Sequence, residues 1–384
     1  MSINRTHLGL LKKWQLANEV LQRLASSGFD HVCRINTSYR TSIDFLLSLV
    51  DCYSIEQSCF VIGEQRITPT LEDVAKITGF PIDGLPMIGC DFKADECPNI
   101  CNELLLSHSF LHEKNKCDIS IKDLLDFKDI PPMLIGAELD PYIRAYVLYV
   151  ISCFLIPPRD HRSVPCMFLG LLKDIDAIRN YAWGAALLCH LHYSFREFKK
   201  QRLRGKSPTI INFCAPFLTF FFYEHMPIIL RTLYDFDIYR EDFEDGKLIF
   251  TFPLMVGWSH SVERKSRNSY AKKKKEEFDL MLKNDNIMWR PYARLRDDFL
   301  PNYLVGQMDV ALSRTILICF EKLAYHRPDL CPLKLNLQAD LVSVEPSVTI
   351  VNKKRTASQI FDWNVRHAIF VKMWEERRLH LIVV

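Results

Sequence analysis

Cysteine and histidine side chains between positions 97 and 117 are the residues of this chain best suited to binding a metal ion. Cys97 and Cys101 are four positions apart, His108 and His112 would share one face of a helix, and Cys117 follows. Zinc prefers these side chains, but the two pairs are closer together than in a usual zinc finger. The alternative is a surface helix with incidental Cys and His. We therefore predict no metal and keep Cys97, Cys101, His108 and His112 only as weak candidate ligands.

A pair of carboxylates is the second chemical candidate. Asp174 and Asp176 could share a cation, yet carboxylates at a helix start more simply complement the positive end of the helix dipole. The sequence contains no Gly-x-Ser-x-Gly turn, no glycine-rich phosphate loop and no His-Glu-x-x-His motif. We therefore predict no catalytic residue, no cofactor and no enzymatic activity.

A basic segment at residues 264–275 reads RKSRNSYAKKKK. It is typical of a nuclear-import signal or of a loop that contacts phosphates, and the alternative is a solvated loop. The net charge of +3 gives no global field, so a nucleic-acid footprint must be local. Basic groups at 199–206 and 353–355 would add to it only if the fold brings them together. The candidate cations are Arg264, Lys265, Arg267, Lys272, Lys273, Lys274 and Lys275.

The element best defined by its end signals is a helix that begins after Thr70. Thr70 is a predicted N-cap, Asp73 completes a capping box, and Gly79 followed by Pro81 ends the helix. The segment is also similar to the first helix of a helix-turn-helix, but the Pro and Gly residues at 81–89 would break a recognition helix. We predict a short, packed, structural helix.

Composition favours a mainly α-helical fold. With 384 residues, 48% of them hydrophobic, and 13 glycines, the chain can bury a large core and is poor in tight turns. No Gly/Ser-rich linker divides it, so we predict a single large helical domain, residues 1–384, with small β-hairpin elements. A hairpin is predicted at 60–68. The predicted helices are 10–26, 42–52, 70–78, 100–111, 120–127, 141–155, 171–200, 213–224, 276–283, 308–325 and 360–378.

The 13 cysteines are scattered through apolar runs, and the N-terminus carries no secretion signal. We therefore expect the cysteines to be reduced and buried, as in proteins of the cytosol or nucleus. The two most apolar stretches, 145–157 and 210–223, fall short of the roughly 20 residues that span a bilayer. We therefore expect no membrane segment.

Residues 63–84 resemble the signature of the plant mobile domain, a family of transposon-associated and domesticated nuclear proteins. Segments 144–157, 172–192, 289–292 and 362–377 support the resemblance, which covers about 27–378; the turn at 326–332 departs from the family pattern. We expect the tryptophans of these matched segments to be buried in the core. The residues that carry the match are Gly63, Glu64, Thr70, Leu71, Asp73, Val74, Gly79, Asp83, Gly84, Trp183, Gly184, Trp289, Pro291, Tyr292, Asp362, Trp363, His367, Trp374 and Arg377.

The resemblance implies a non-enzymatic nuclear protein with a role in meristem maintenance, genome stability and transposon or gene silencing. It also implies a protein partner similar to a type-7-like Ser/Thr phosphatase, and it allows contact with DNA. The family is also labelled aminotransferase-like, but the sequence marks no Schiff-base lysine with a phosphate cup. The alternative is a transposon-derived enzyme, such as a metal-dependent nuclease or another hydrolase or transferase, whose site the sequence does not reveal.

Overall fold

The structure, a computed structural model, describes thirteen stretches of the chain. They are residues 9–11, 13–14, 16–35, 42–107, 109–112, 115–206, 211–229, 243–244, 247–248, 251–258, 273–283, 287–335 and 361–382. Thirteen of the α-helices within them are named here in chain order: α1 Asn18–Leu24, α2 Phe29–Val32, α3 Ile43–Cys52, α4 Leu71–Thr78, α5 Cys97–Leu105, α6 Asp140–Val150, α7 Met167–Leu171, α8 Trp183–Leu203, α9 Ala215–His225, α10 Lys275–Met281, α11 Asn302–Val305, α12 Trp363–Arg366 and α13 Ala368–Glu375.

The β structure consists of small antiparallel sheets within the described stretches. The sheet orders are β1-β2-β3, β4-β5-β6, β7-β8 and β9-β10. The predicted mainly α-helical fold with small β elements is confirmed, although the chain is not all-α. The strands are β1 Tyr53–Ser54, β2 Cys59–Ile62, β3 Gln65–Ile67, β4 Leu111–His112, β5 Asn115–Ser120, β6 Ser163–Pro165, β7 Phe243–Glu244, β8 Lys247–Leu248, β9 Thr315–Cys319 and β10 Lys322–His326.

Helix α4 forms as its end signals predict. The Asp73 carboxylate accepts a hydrogen bond from the Thr70 backbone N–H at 2.7 Å, and Gly79 closes the helix with a φ of 77°. Within the continuously described residues 42–107, the next helix is α5, which begins at Cys97. No recognition helix follows α4 there, in agreement with its prediction as a structural element.

Three predicted helices were wrong, and one of them, 120–127, consists of the end of β5 and the 3₁₀ turn Asp123–Phe127. Residues 308–325 form a 3₁₀ turn, Met308–Leu312, and then the hairpin of β9 and β10. All five residues of β9 are buried, and a continuous apolar run of that length does not distinguish a buried strand from a buried helix. The predicted helix 10–26 is interrupted, because Ala17 has extended backbone angles and α1 begins only at Asn18.

Helix α8 is the central element of the core and packs closely on α4. The Gly184 N–H donates to the Pro81 carbonyl oxygen at 2.7 Å, and a Cβ at Gly184 would lie 2.8 Å from Val74 Cγ1. The hairpin of β9 and β10 packs on the same helix, where the Cys189 thiol donates to the Leu317 carbonyl oxygen at 3.4 Å. Only a residue without a side chain fits between α8 and α4 at this point.

The predicted burial of the family-matched tryptophans is confirmed for three of them. Trp183, Trp363 and Trp374 are buried, whereas Trp289 is only half-buried. The Trp183 indole N–H donates to the Ile178 carbonyl oxygen at 2.7 Å, so the one polar atom of its ring is satisfied inside the core. The exception, Trp289, lies at a cavity.

The loop after α4 is held in place by residues at the end of α13 and directly after it. The Trp374 indole N–H donates to the Gly84 carbonyl oxygen at 2.9 Å, and Arg377 Nε donates to Asp83 Oδ1 at 2.6 Å. Arg378 donates to the other carboxylate oxygen of Asp83 at 2.7 Å. Burial by itself would raise the pKa of Asp83, but these two arginines hold it below its usual value. The loop and the C-terminal segment are therefore fastened together by charge-assisted hydrogen bonds.

The buried apolar side chains of the described residues form one contiguous cluster that includes residues from α1 to α13. No helix in this part of the chain has the length and apolar character needed to cross a membrane.

Replacing Gly184 by Ala is expected to destabilise the protein by about 1–3 kcal/mol, the usual cost of overpacking a core. The reason is the close approach of Val74 and Pro81 to the added methyl group. Urea unfolding of the purified variant measures the change.

The matched control is Gly170→Ala in α7, where the added Cβ meets nothing closer than Phe92 Cζ at 3.5 Å. This variant should be as stable as the parent chain or slightly more stable, because Ala is favoured over Gly in helices. Equal effects of the two substitutions would contradict the close packing of α8 on α4.

Candidate functional site

A buried carboxylate, Asp73, lies at the centre of a polar network. Its Oδ2 accepts from the Thr70 backbone N–H at 2.7 Å, from the Thr70 hydroxyl at 2.8 Å and from Lys334 Nζ at 2.5 Å. Its Oδ1 lies 2.8 Å from the Tyr292 hydroxyl, which donates to it, and 3.1 Å from His225 Nε2. The Asp73 and His225 side chains have no exposed surface, and that of Lys334 is 3% exposed.

Four separate elements bring these side chains together. Thr70 and Asp73 belong to the N-terminus of α4, and His225 is the last residue of α9. Tyr292 lies in the 3₁₀ turn Pro291–Arg294, and Lys334 lies in a second one, Pro332–Leu335. The network is therefore a tertiary joint between segments that are far apart in the sequence.

The charges of this joint follow from the balance between burial and pairing. Burial would raise the pKa of Asp73, but the Lys334 ammonium and the hydrogen bond from His225 hold it well below its usual value. Burial lowers the pKa of His225, and the Asp73 carboxylate opposes that shift only in part. Burial, reinforced by the Asp73 charge, raises the pKa of Tyr292. Asp73 is thus an anion at neutral pH, and Tyr292 remains a protonated donor.

The joint has little free capacity for acid–base chemistry. Each oxygen of Asp73 already has at least two partners, and Lys334 Nζ also donates to the Thr70 hydroxyl at 3.0 Å. His225 lies between two acceptors, because its Nδ1 is 2.9 Å from the Met288 carbonyl oxygen, and a neutral ring donates to only one of them. A general base needs an available lone pair directed at a substrate. These groups are instead directed at one another.

A cavity of about 470 Å³ lies beside the joint. This volume is within the ordinary range for sites that bind small ligands or single side chains, roughly 300–1,000 Å³. Its lining residues come from α4, from the segment around Trp289 and from three 3₁₀ turns. They are Thr70, Glu72, Lys76, Trp289, Arg290, Tyr292, Ala293, Met308, Ala311, Leu312, Pro328, Lys334 and Leu335.

The cavity has a cationic aromatic side and an apolar side. The Lys76 ammonium lies 4.8 Å from the centre of the Tyr292 ring and 2.7 Å from Glu72 Oε1. Arg290 is exposed, and it makes no ion pair with any residue that the structure describes. Trp289 offers an indole face that is only half covered. An apolar group with an anionic end matches this combination, because a guanidinium pairs bidentately with a carboxylate or phosphate.

The sequence motifs converge on α4 and its flanks. Gly63 lies in the turn between β2 and β3 with a φ of 58°. Asp362 caps α12 by accepting from the Asn364 N–H at 2.9 Å, and the His367 ring centre lies 5.3 Å from that of Trp363. Of the matched residues, Thr70, Trp289 and Tyr292 reach the cavity. Asp73 and Gly184 support α4, Trp374 and Arg377 hold the loop after it, and Gly63 and Glu64 lie exposed in the β2–β3 turn.

Sequence reasoning missed three members of the site. His225 and Lys334 bind Asp73 from elements without a recognised motif. His326 accepts from the Leu71 N–H at 3.1 Å through Nε2 and donates to the Ser313 carbonyl oxygen at 2.7 Å through Nδ1. His326 belongs to the turn whose sequence departs from the family pattern. No local spacing could have connected these residues to α4.

The cysteines of the predicted metal cluster lie in the core. Cys97 and Cys101 are buried on one face of α5, and their thiols interact with that of Cys166, while Cys117 interacts with Cys97. Cys117 lies in β5 and Cys166 directly follows β6, and the Cys166 N–H donates to the Cys117 carbonyl oxygen at 2.8 Å. His108 and the His112 side chain lie outside the described residues. Among the residues described, no group of three or more His, Cys, Asp or Glu side chains is arranged to hold a metal ion.

The Asp-x-Asp pair forms a local turn. The Asp176 N–H donates to Asp174 Oδ1 at 2.9 Å, and the Asp176 carboxylate lies 3.8 Å from Arg179. This arrangement is a hydrogen-bonded surface turn.

The basic segment is described only from residue 273 onward, so Arg264, Lys265, Arg267 and Lys272 lie outside the described residues. Lys273 pairs with Glu277 at 2.9 Å, and Lys275 pairs with Asp51 at 3.0 Å and with Asp279 at 2.6 Å. Lys274 is the exposed N-cap of α10.

We expect Asp73→Asn to destabilise the protein by about 3–5 kcal/mol, because it leaves the buried Lys334 ammonium without its counter-ion. Lys334→Met should destabilise the protein by a similar amount, because it leaves the buried Asp73 carboxylate without its counter-ion. In the double variant the two costs should not add, since no buried charge remains unpaired. Urea unfolding of the parent chain, the two single variants and the double variant measures these changes in stability.

The loss of stability caused by Asp73→Asn should depend on pH. The folded-state pKa of Asp73 is depressed. Its contribution is therefore fully present above the unfolded-state pKa of about 4 and is lost as pH falls toward the folded-state pKa. The stability difference between the parent chain and Asp73→Asn should shrink below about pH 4. A difference that stays constant from pH 7 to pH 3 would contradict a buried ion pair.

The chain is similar to a known protein family over almost its whole length. The plant mobile domain model matches residues 28–384. The chain is 26% identical over 380 residues to Protein MAIN-LIKE 1 of Arabidopsis thaliana, covering 98% of this chain and 69% of that protein. It is 26% identical over 334 residues to Protein MAINTENANCE OF MERISTEMS of Arabidopsis thaliana, covering 85% of this chain and 64% of that protein.

A third relative is the serine/threonine-protein phosphatase 7 long form homolog of Arabidopsis thaliana, 24% identical over 375 residues. That match covers 96% of this chain but only 27% of the relative. No solved structure matches the chain. Because the family model covers nearly all of the sequence and its motif residues meet around α4, the chain belongs to the plant mobile domain family.

Proposed function

We propose that this chain is a non-enzymatic binding protein of the nucleus, which acts through a protein partner in gene or transposon silencing and meristem maintenance. The partner is a type-7-like Ser/Thr phosphatase, and DNA contact is secondary. The cavity beside Asp73 is the docking site for a side chain of that partner. The protein derives from a mobile element and retains no chemistry of its own.

The observation that carries this proposal is the contrast between the closed joint and the open cavity next to it. Asp73, Lys334 and Tyr292 bind one another, so the cavity borders groups that are already paired. The free features of the cavity are the Trp289 face and the Arg290 guanidinium. Tryptophan and arginine are enriched among residues that dominate protein–protein binding energy. The site therefore favours binding over turnover.

The relatives support the nature of the partner. One of them is named as a phosphatase 7 homolog, and its matched region occupies 27% of its length. That name supports a type-7-like phosphatase as the proposed partner of this chain. The names MAIN-LIKE 1 and MAINTENANCE OF MERISTEMS support the proposed role in meristems.

The proposal predicts that Trp289→Ala combined with Arg290→Ala weakens binding to a purified type-7-like Ser/Thr phosphatase by about 30-fold or more, the effect of losing about 2 kcal/mol at a binding hot spot. Isothermal titration calorimetry measures the affinity. The control is Leu106→Ala with Arg179→Ala, which removes an exposed apolar side chain and an exposed cation elsewhere.

Equal affinities of the two double variants would reject the cavity as the docking site, and absence of binding by the parent chain would reject the partner. A parallel assay with phosphorylated peptides, oligonucleotides and divalent cations tests the alternative of a transposon-derived enzyme. Turnover by the parent chain that is lost in Asp73→Asn would overturn the non-enzymatic proposal.

Nuclear import is predicted to depend on the basic segment. Changing Lys272, Lys273 and Lys274 to Ala should move a fluorescently tagged chain from nucleus to cytoplasm, because such signals are read through their clustered cations. Lys275 is left intact, since it anchors α10 to Asp51. The control triple Lys128→Ala, Arg179→Ala and Lys372→Ala removes the same charge from other exposed positions. Nuclear retention of the first variant would contradict the import role.

A further inference from the structure

Two basic segments that are far apart in the sequence meet on the surface of the fold. One is the last turn of α8 with the residues that follow it, 199–206, and the other is the start of α10, 273–275. The residue between them is Asp51, at the end of α3. We name this surface the basic junction. Its cations are Lys199, Lys200, Arg202, Arg204, Lys206, Lys273, Lys274 and Lys275.

Asp51 holds the two segments together. The Arg202 guanidinium donates two hydrogen bonds to the Asp51 carboxylate, from Nε to Oδ1 at 3.0 Å and from Nη2 to Oδ2 at 2.8 Å. Lys275 Nζ lies 3.0 Å from the same Oδ2. Lys199 Nζ donates to the Asp51 backbone carbonyl oxygen, and the Ser48 hydroxyl donates to that of Lys275 at 3.3 Å. Burial would raise the pKa of Asp51, but Arg202 and Lys275 keep it below its usual value. The carboxylate therefore stays charged and fixes the geometry.

The junction keeps a surplus of free cations after this pairing. Lys200 pairs with Glu197 at 3.2 Å, and Lys273 pairs with Glu277. Arg204, Lys206 and Lys274 are exposed and form no ion pair with any described residue. Lys199 donates to a neutral carbonyl group and makes no ion pair within the described part of the chain.

The chemistry of the junction selects its ligand. The two phenylalanines nearest in sequence, Phe198 and Phe278, are buried, so neither offers a ring on which a single-stranded base could stack. Leu203 and Leu280 are exposed, but they are single side chains and do not make the continuous apolar face of a membrane-binding helix. Separate, exposed ammonium and guanidinium groups match regularly spaced phosphates.

We propose that the basic junction binds the phosphate backbone of duplex DNA without reading its sequence. This surface deepens the DNA contact of the proposed function, and the inference rests on that function. Each phosphate contact releases condensed counterions, so log K should fall with log salt with a slope of about −0.9 per contact.

The test is fluorescence anisotropy of the full chain with two unrelated 20-base-pair duplexes at several salt concentrations. The variant Arg204→Ala, Lys206→Ala and Lys274→Ala should flatten the salt slope by about 2.7, the sum of three lost contacts. The change should be the same for both duplexes. The control triple at Lys128, Arg179 and Lys372 should leave the slope unchanged. Thermal melting verifies that all three proteins are folded.

Asp51→Asn is the second variant, and its effect has the opposite sign. It releases Arg202 and Lys275 from their counter-ion, so the salt slope should steepen by about 1 and the affinity at low salt should rise. A gain in binding cannot result from loss of folding.

Several outcomes would overturn the proposal: equal slopes for the junction and control triples, a preference for one duplex, weaker binding by Asp51→Asn, or equal binding to vesicles of anionic phospholipid. The assay uses purified protein and DNA, so it does not depend on the phosphatase or on the cavity. The Trp289→Ala, Arg290→Ala variant should keep its DNA affinity. Failure of the proposed protein partner and failure of this surface are therefore distinguishable.

Discussion

The ion pair between Asp73 and Lys334 is the interaction on which the central part of this structure depends. It is fully enclosed, and a charge removed from water is tolerated only when its partners replace the lost hydration. Thr70, Tyr292 and His225 supply that replacement. Because the five residues come from four separate elements, the position of one element fixes the positions of the others. Loss of either charge would leave the other buried and unpaired.

Close packing and surface charges extend this constraint outward. Gly184 lets α8 approach α4 until its N–H reaches the Pro81 carbonyl oxygen, and Asp83 ties the next loop to the C-terminal arginines. The family's separate sequence motifs are thus one spatial unit. The N-terminal motif provides the helix, the central motif packs behind it, and the C-terminal motif fastens the loop that follows.

The structure uses its polar groups in two different ways. Around Asp73 the charged groups pair with one another, whereas the Trp289 ring and the Arg290 guanidinium line the cavity without an ion pair to any described residue. At the basic junction one carboxylate, Asp51, organises several cations, and the outermost of them remain free. A buried network of the first kind suits a rigid scaffold, whereas an exposed surplus of charge suits an electrostatic partner. Both observations favour a protein that works by binding.

The sequence by itself determined the local elements and the kinship of this protein. The end signals of α4, the mainly helical composition and the spaced tryptophan motifs depend on neighbouring residues or on pattern, and each was readable without a structure. It did not separate the strand β9 from a helix, because a short, continuously buried apolar run has no informative period. Only the tertiary structure decided that Lys334 and His225 meet Asp73, and that 199–206 meets 273–275 across Asp51. Such contacts join residues between 148 and 261 positions apart, and their energy comes from burial and geometry that no local sequence pattern records.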